Sequence, residues 1–311
     1  MTQAAITGIA AVVALGIAAQ WTAWRFRLPA ILIFLLLGFL AGPVAGVIDP
    51  DEIFGDLLTP LVSLSVAIIL FEGGLSLRLA ELPQIRRVVF GLISIGAAVT
   101  WAIAAAAANL LLGLGAPIAV LLGAILVVSG PTVIVPLLRH VRPIGRIGSI
   151  LRWEGILIDP VGAMLAVLVF EAIISGGGSS TAGVAALGFF KTIIAGGLLG
   201  TAGARSFVAL LRRDLVPDFL QNPVAFLLVV GVFAVSNAIQ PESGLLAATI
   251  MGIAMANQSD VDIRHIIQFK ETLRVLLISS IFVVLAARLR IGDFASIGVL
   301  RGGAFLAILM F

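Results

Sequence analysis

The sequence predicts an all-α polytopic membrane protein, and three observations carry that prediction. Of 311 residues, 61 % are hydrophobic and 11 % charged, whereas a soluble domain averages roughly half apolar and a quarter charged. The mean hydropathy is +1.21. The apolar residues gather into eleven windows of span length, separated by short loops that hold most of the arginines. This pattern excludes a soluble fold.

The windows follow in order. The first, 4–24, lacks a basic leader and a cleavage site and reads as a retained span. The second, 28–47, carries Gly38, Gly42 and Gly46 at every fourth position, a spacing that lets another helix approach closely. The third and fourth cover 57–77 and 88–112. The fifth, 116–138, is interrupted at its centre by Ser129-Gly130-Pro131-Thr132, and the sixth, 149–174, holds Glu154 and Asp159-Pro160. A flexible Gly-Gly-Gly-Ser-Ser turn from Gly176 to Ser180 leads to 183–204, 222–240, 243–257, 265–287 and 294–311. The last window stops at Phe311 inside apolar sequence. The expectation is one transmembrane domain over 1–311, about eleven spans, with its C-terminal part missing.

Loop charge sets the expected orientation. Odd-numbered loops hold Arg25, Arg27, Arg78, Arg86, Arg87, Arg139, Arg142, Arg146, Arg152, Arg205, Arg212, Arg213, Arg264 and Lys270, while even loops hold Arg288 and Arg290. The positive-inside bias puts odd loops in the cytoplasm and the N-terminus outside, in a multi-pass protein of the cell (inner) membrane. The net charge of +3 carries no message for nucleic acid, since the bases are scattered through short loops. No Cys and two isolated His residues, His140 and His265, exclude disulfides, thiolate metal sites and paired haem ligation. Neither Lys191 nor Lys270 follows a phosphate-cradling glycine loop. The sequence therefore predicts neither an enzyme nor a cofactor.

Charge at bilayer depth costs at least about 2.5–3.5 kcal/mol, so an intramembrane carboxylate is a functional candidate by default. Asp159 lies about 15 Å into its window at 1.5 Å per residue, near the midplane. Pro160 follows it and leaves the carbonyl of Ile156 without its helical donor. Glu154 lies about 140° around the helix from Asp159, so the two face one cavity only if the helix bends there. Gly130-Pro131 at the centre of a span breaks the backbone ladder, which is tolerated at that depth only where protein or a wet cavity supplies partners. Such breaks mark ion sites in secondary transporters. Ser129 and Thr132 supply side-chain oxygens beside the break, and Asp159 with Ser129 is the expected cation ligand pair.

Supporting candidates are weaker. Glu72 falls near the cytoplasmic end of the third window, where an interfacial position is open to it. Glu271 sits three residues before Arg274, a spacing that allows a helical ion pair. Glu171 and Glu242 lie at outer span ends, where hydration explains them. Asn257 begins a glycosylation-type triplet but falls in an expected cytoplasmic loop, so it is discarded.

Four motifs in sequence, Leu70-Phe-Glu72-Gly73-Gly74-Leu75, Gly130-Pro131-Thr132-Val-Ile-Val-Pro136, Trp153-Glu154-Gly155-Ile-Leu-Ile-Asp159-Pro160 and Phe269-Lys-Glu271-Thr-Leu273, resemble the bacterial monovalent cation/proton antiporter family, the NhaP-like sodium/proton exchangers. The resemblance spans nearly the whole chain. It implies a cation/proton antiporter fold with inverted repeats, a discontinuous fifth helix and a second broken helix, assembled as a homodimer. By that resemblance Asp159 matches the carboxylate that alternately binds cation and proton. Glu154 matches the acid held by an Arg of the eleventh span, and Ser129 the hydroxyl residue of the broken helix.

Two departures stand out. Ser129-Gly130-Pro131 replaces the relatives' Thr-Asp-Pro, and Ile158-Asp159 replaces Asn-Asp or Asp-Asp, leaving one titrating carboxylate and favouring one-for-one exchange. The matching Arg and second broken helix would fall beyond Phe311, so Glu154 is expected to lack a partner. The resulting expectation is exchange of Na⁺, ahead of K⁺ or Li⁺, for protons across the lipid bilayer. The alternative is a channel-like potassium efflux system.

Overall fold

The computed structural model describes residues 3–130, 134, 137–138, 141, 143–175, 179–261, 264–292 and 298–310. Among the described residues the chain is helical throughout, with no strand. In chain order the helices are α1 (Gln3–Phe26), α2 (Ala30–Phe39), α3 (Pro50–Phe54), α4 (Leu58–Leu75), α5 (Leu82–Gly91) and α6 (Ala97–Leu112). They continue as α7 (Ala116–Leu126), α8 (Ile147–Ile174), α9 (Ser179–Arg212), α10 (Asp218–Ile239), α11 (Ser243–Ala256), α12 (Arg264–Ala287) and α13 (Val299–Met310). Each of the eleven apolar windows holds a helix. Among the described residues, six stretches are long and apolar enough to cross a membrane, and four further apolar helices run 10–17 residues.

Two differences from the sequence reading have local causes. The fourth window begins earlier than expected: a short 3₁₀ turn, Leu79–Glu81, leads into α5, and a π-helical turn, Leu92–Gly96, joins α5 to α6. The start was hidden because α5 is amphipathic, with Ile85 and Val89 buried and Arg86 and Arg87 exposed, so its mean hydropathy falls below that of a span. Ser179 and Ser180, expected in a turn, belong to α9, while 176–178 lie outside the described residues.

The chain forms two compact units, 1–69 with 264–296, and 70–263 with 297–311. In the first, α1, α2 and α12 share a core that includes Val12, Phe34, Ile278 and Val283. Gly38 and Gly42 allow backbone approach, as the spacing predicted: a Cβ at Gly38 would fall 2.8 Å from Ala286 Cβ, and one at Gly42 would fall 2.7 Å from the carbonyl carbon of Ala287. Gly46 does something else. It has φ +65° with open space around it and ends the segment in the left-handed conformation that glycine adopts without cost. Asp49 caps α3, accepting from the backbone N–H of Asp51 at 3.0 Å and of Glu52 at 3.2 Å.

In the second unit, α9 and α11 pack through Gly196, Gly200 and Gly203; a Cβ at Gly196 would meet Leu246 Cβ at 3.0 Å. The end of α4 crosses α11 backbone to backbone, since the Cβ position of Gly74 lies 3.1 Å from Gly252 Cα. Small residues are what permit this, because helices in lipid associate by close packing rather than by escaping water. Residues 67–75 of α4 are all buried, Glu72 among them at 5 % exposure. Glu72 is thus packed inside the protein.

Candidate functional site

The site is built on α7 and α8. Helix α7 stops at Leu126, and 128–130 have no helical structure. Gly130 has φ +61°, a backbone setting that L side chains resist. Beyond the break, Ile134 N–H donates to the Gly130 carbonyl at 3.3 Å. The predicted discontinuity is present at Ser129-Gly130. Pro131 and Thr132, named with it, lie outside the described residues.

Helix α8 runs unbroken through Pro160 over its 28 residues. At 1.5 Å per residue, Asp159 stands about 18 Å from the start of this helix, near its middle. Which way does its face point? Gly155, Asp159 and Gly162 stand at i, i+4 and i+7, one stripe of an α-helix. A Cβ at Gly155 would fall 2.6 Å from Ile134 Cδ1, and one at Gly162 would collide with the Val128 side chain. The two glycines flanking Asp159 thus rest against residues on either side of the break, so the carboxylate lies on the face of α8 that meets it. On the adjoining face Ile158 packs with Val127 and Ala97.

Ser129 has a side-chain partner on α8. Its Oγ donates to Glu154 Oε1 at 3.0 Å. Glu154, which the sequence left without a partner, therefore accepts a hydrogen bond from the broken segment itself. The 140° between Glu154 and Asp159 does not remove Glu154 from the site, because the unwound stretch wraps far enough to reach it.

The other predicted residues lie on other helices or at helix ends. The Glu72-Gly73-Gly74 motif lies beside α8, where a Cβ on Gly73 would stand 3.3 Å from Ile156 Cγ1. Glu271 and Arg274 share α12, but the side chain of Glu271 lies outside the described residues, so the expected pair is not described. Glu171 is exposed, as expected of an outer end. Glu242 is not simply hydrated: it is half-buried, adopts φ +64°, and burial raises its pKa above the ordinary carboxylate value.

Sequence reasoning missed three features around the site. Gly155 and Gly162 stand at helical spacing from Asp159, a stripe that the sequence itself carries. Asn257, discarded as an unused sequon, clamps the connection after α4: its Nδ2 donates to the carbonyls of Leu77 at 2.8 Å and Ile253 at 2.7 Å, and its Oδ1 accepts from Leu79 N–H at 2.7 Å. Trp153, one residue before Glu154, is buried in a cluster with Leu77, Ile85, Val89 and Ile156, and its Nε1 has no hydrogen-bond partner among the described residues.

Residues 9–311 match the family described as the sodium/hydrogen exchanger, transmembrane. The chain belongs to the sodium/hydrogen exchanger family. Family membership together with the long apolar helices makes it a multi-pass membrane protein. Among its relatives, the Na(+)/H(+) antiporter 1 of Methanocaldococcus jannaschii is 25 % identical over 86 % of this chain and 64 % of that protein. The K(+)/H(+) antiporter NhaP2 of Shewanella oneidensis is 26 % identical over 75 % of this chain and 40 % of that protein. The match thus spans less than two thirds of either relative's length.

Two solved structures share the family fold. The sodium proton antiporter MjNhaP1 from M. jannaschii at pH 8 superposes with a TM-score of 0.79 at 23 % identity, covering 94 % of this chain and 72 % of that one. A second MjNhaP1 structure, from electron microscopy, gives 0.81 at 22 % identity over 100 % and 76 %.

Proposed function

We propose that the protein exchanges a monovalent cation for protons across a membrane, with Asp159 binding the two in turn. The observation that carries the reading is the placement of Asp159 between Gly155 and Gly162, on the face of α8 against the break at Ser129-Gly130. A carboxylate in that position gains little for packing and costs much for burial unless a cation or a proton neutralises it. Neutralisation is then the gate. A bare carboxylate is held back by the low-dielectric barrier, whereas an occupied one crosses as the helices move.

The Ser129–Glu154 bond gives each residue a part in this cycle. A hydroxyl has one donor and two acceptor lone pairs. With its proton committed to Glu154, Ser129 turns its lone pairs elsewhere, free to meet a cation held by Asp159. Glu154 orients the hydroxyl and adds negative charge near the site. Thr132 completes the proposed oxygen set beside the break, with Glu72 in support.

The relatives' names include both a Na⁺/H⁺ and a K⁺/H⁺ antiporter, so both cations belong in the assay, Na⁺ first. Placement in the cell (inner) membrane with the N-terminus outside, assembly as a homodimer, and a single antiporter domain over 1–311 belong to the same proposal. The arginine-rich odd loops support the orientation. The test is cation-induced pH recovery in proteoliposomes. Exchange by the wild type and its loss in Asp159→Asn support the proposal; undiminished exchange by the variant eliminates it.

A further inference from the structure

We propose that the face formed by α5 and the N-terminal part of α8 binds anionic phospholipid headgroups. This inference concerns unit 70–263 alone and does not depend on the exchange reaction. Both helices begin at the same end of that unit: Leu82, Ile85 and Val89 of α5 share one cluster with Ile150 and Trp153 of α8. The side of α5 turned away from that cluster presents Arg86 and Arg87, both exposed, beside exposed Val88 and Phe90. On α8, Arg152 is half-buried one residue before Trp153, and exposed Arg146, at the N-cap, precedes Ile150 by one turn.

A fifth arginine is fixed by the clamp described above. Asn257 holds the Leu77 carbonyl and the Leu79 N–H, the residues on either side of Arg78. Arg78 is exposed, so its side chain projects from a backbone pinned on both sides. Pinning lowers the entropy lost when such a side chain binds.

The charge on this face is uncompensated. Across 76–91 and 143–153 the one acidic residue is Glu81, and none of the five arginines makes an ion pair among the described residues. Two arginines outside this face are paired: Arg212 with Asp260, and Arg288 with Asp51 at 3.0 Å. Guanidinium groups match phosphate oxygens in a planar, two-pronged geometry. Exposed Val88 and Phe90 beside them suit the boundary between headgroups and acyl chains. A lipid phosphate brings both halves of that chemistry, whereas free phosphate brings only one.

The experiment titrates phosphatidylglycerol, phosphatidylcholine and inorganic phosphate separately into the delipidated protein in a neutral detergent, with bound lipid counted by native mass spectrometry. The proposal expects phosphatidylglycerol to bind in preference to phosphatidylcholine and to weaken as salt is raised. Arg86→Gln/Arg87→Gln should weaken it on the order of tenfold or more, at a few-fold per arginine. Arg212→Gln/Arg213→Gln, the control for general positive charge, should leave it unchanged. Equal binding of the two lipids, equal loss in both variants, or full displacement by inorganic phosphate overturns the proposal. Should the α5 variant not purify as a folded protein, the salt series on the wild type decides: an affinity independent of ionic strength overturns it, and a steep fall supports it.

Discussion

Replacing Gly252 with Ala tests the packing that holds α4 against α11 beside the site. A Cβ at Gly252 would overlap the Phe71 carbonyl oxygen, and would lie 3.0 Å from the Phe71 carbonyl carbon and 3.1 Å from Gly74 Cα. All three are backbone atoms, and none can rotate away. Carbon atoms pack best at about 3.5–4.0 Å, so the helices would have to separate by roughly half an ångström or more. Overpacking of this kind costs about 1–3 kcal/mol. Helix propensity pulls the other way, favouring Ala over Gly by about 0.5–1 kcal/mol, which leaves a net loss centred on about 1 kcal/mol, up to about 2.5 kcal/mol. Gly231 in α10 is the control, because a Cβ there meets no atom within 4 Å. Thermal unfolding in detergent should give a lower midpoint for Gly252→Ala and an unchanged or higher one for Gly231→Ala. Two variants of equal stability would refute the packing argument.

Other perturbations follow from single interactions. Asn257→Ala removes the partners of Leu77 O and Leu79 N and should cost about 2 kcal/mol at about 1 kcal/mol per bond; Asn257→Asp, which turns an acceptor toward two carbonyls, should be no better, both read by thermal unfolding. Ser129→Ala should destabilise by about 1–2 kcal/mol through loss of the bond to Glu154, while Ser129→Thr keeps a donor and most of the stability. Glu242 has its pKa raised above 4.5 by burial, so the folded protein holds that proton more tightly than the unfolded chain. Its contribution is fully present below about pH 4.5 and is lost as pH rises through the raised value. Glu242→Gln should therefore match wild type at pH 4 and exceed it in thermal midpoint at pH 7; the reverse order at pH 7 would contradict burial as the cause.

Much of this architecture was legible because a bilayer imposes length and apolarity on whatever crosses it. The break at Ser129-Gly130 was legible for a covalent reason, since Pro131 has no N–H to continue the ladder. Pairing was harder to read. The Ser129–Glu154 bond depends on the path of a few unwound residues, which no periodicity describes. Gly46 shares its spacing with Gly38 and Gly42, yet it serves as a left-handed stop because no helix faces it. Asn257 looked like surface sequence because its partners, Leu77 and Leu79, lie some 180 residues away in the chain. The start of α5 was blurred by Arg86 and Arg87, which lower local hydropathy without interrupting the helix.

Proton release on cation binding tests the central claim most directly. With the protein in weakly buffered detergent solution, at a pH where Asp159 is still protonated, Na⁺ is added and the liberated protons are counted with an indicator dye. Competition for one carboxylate predicts release approaching about one proton per cation, and none from Asp159→Asn. Equal release from wild type and variant, or cation binding with no release at all, would contradict the account.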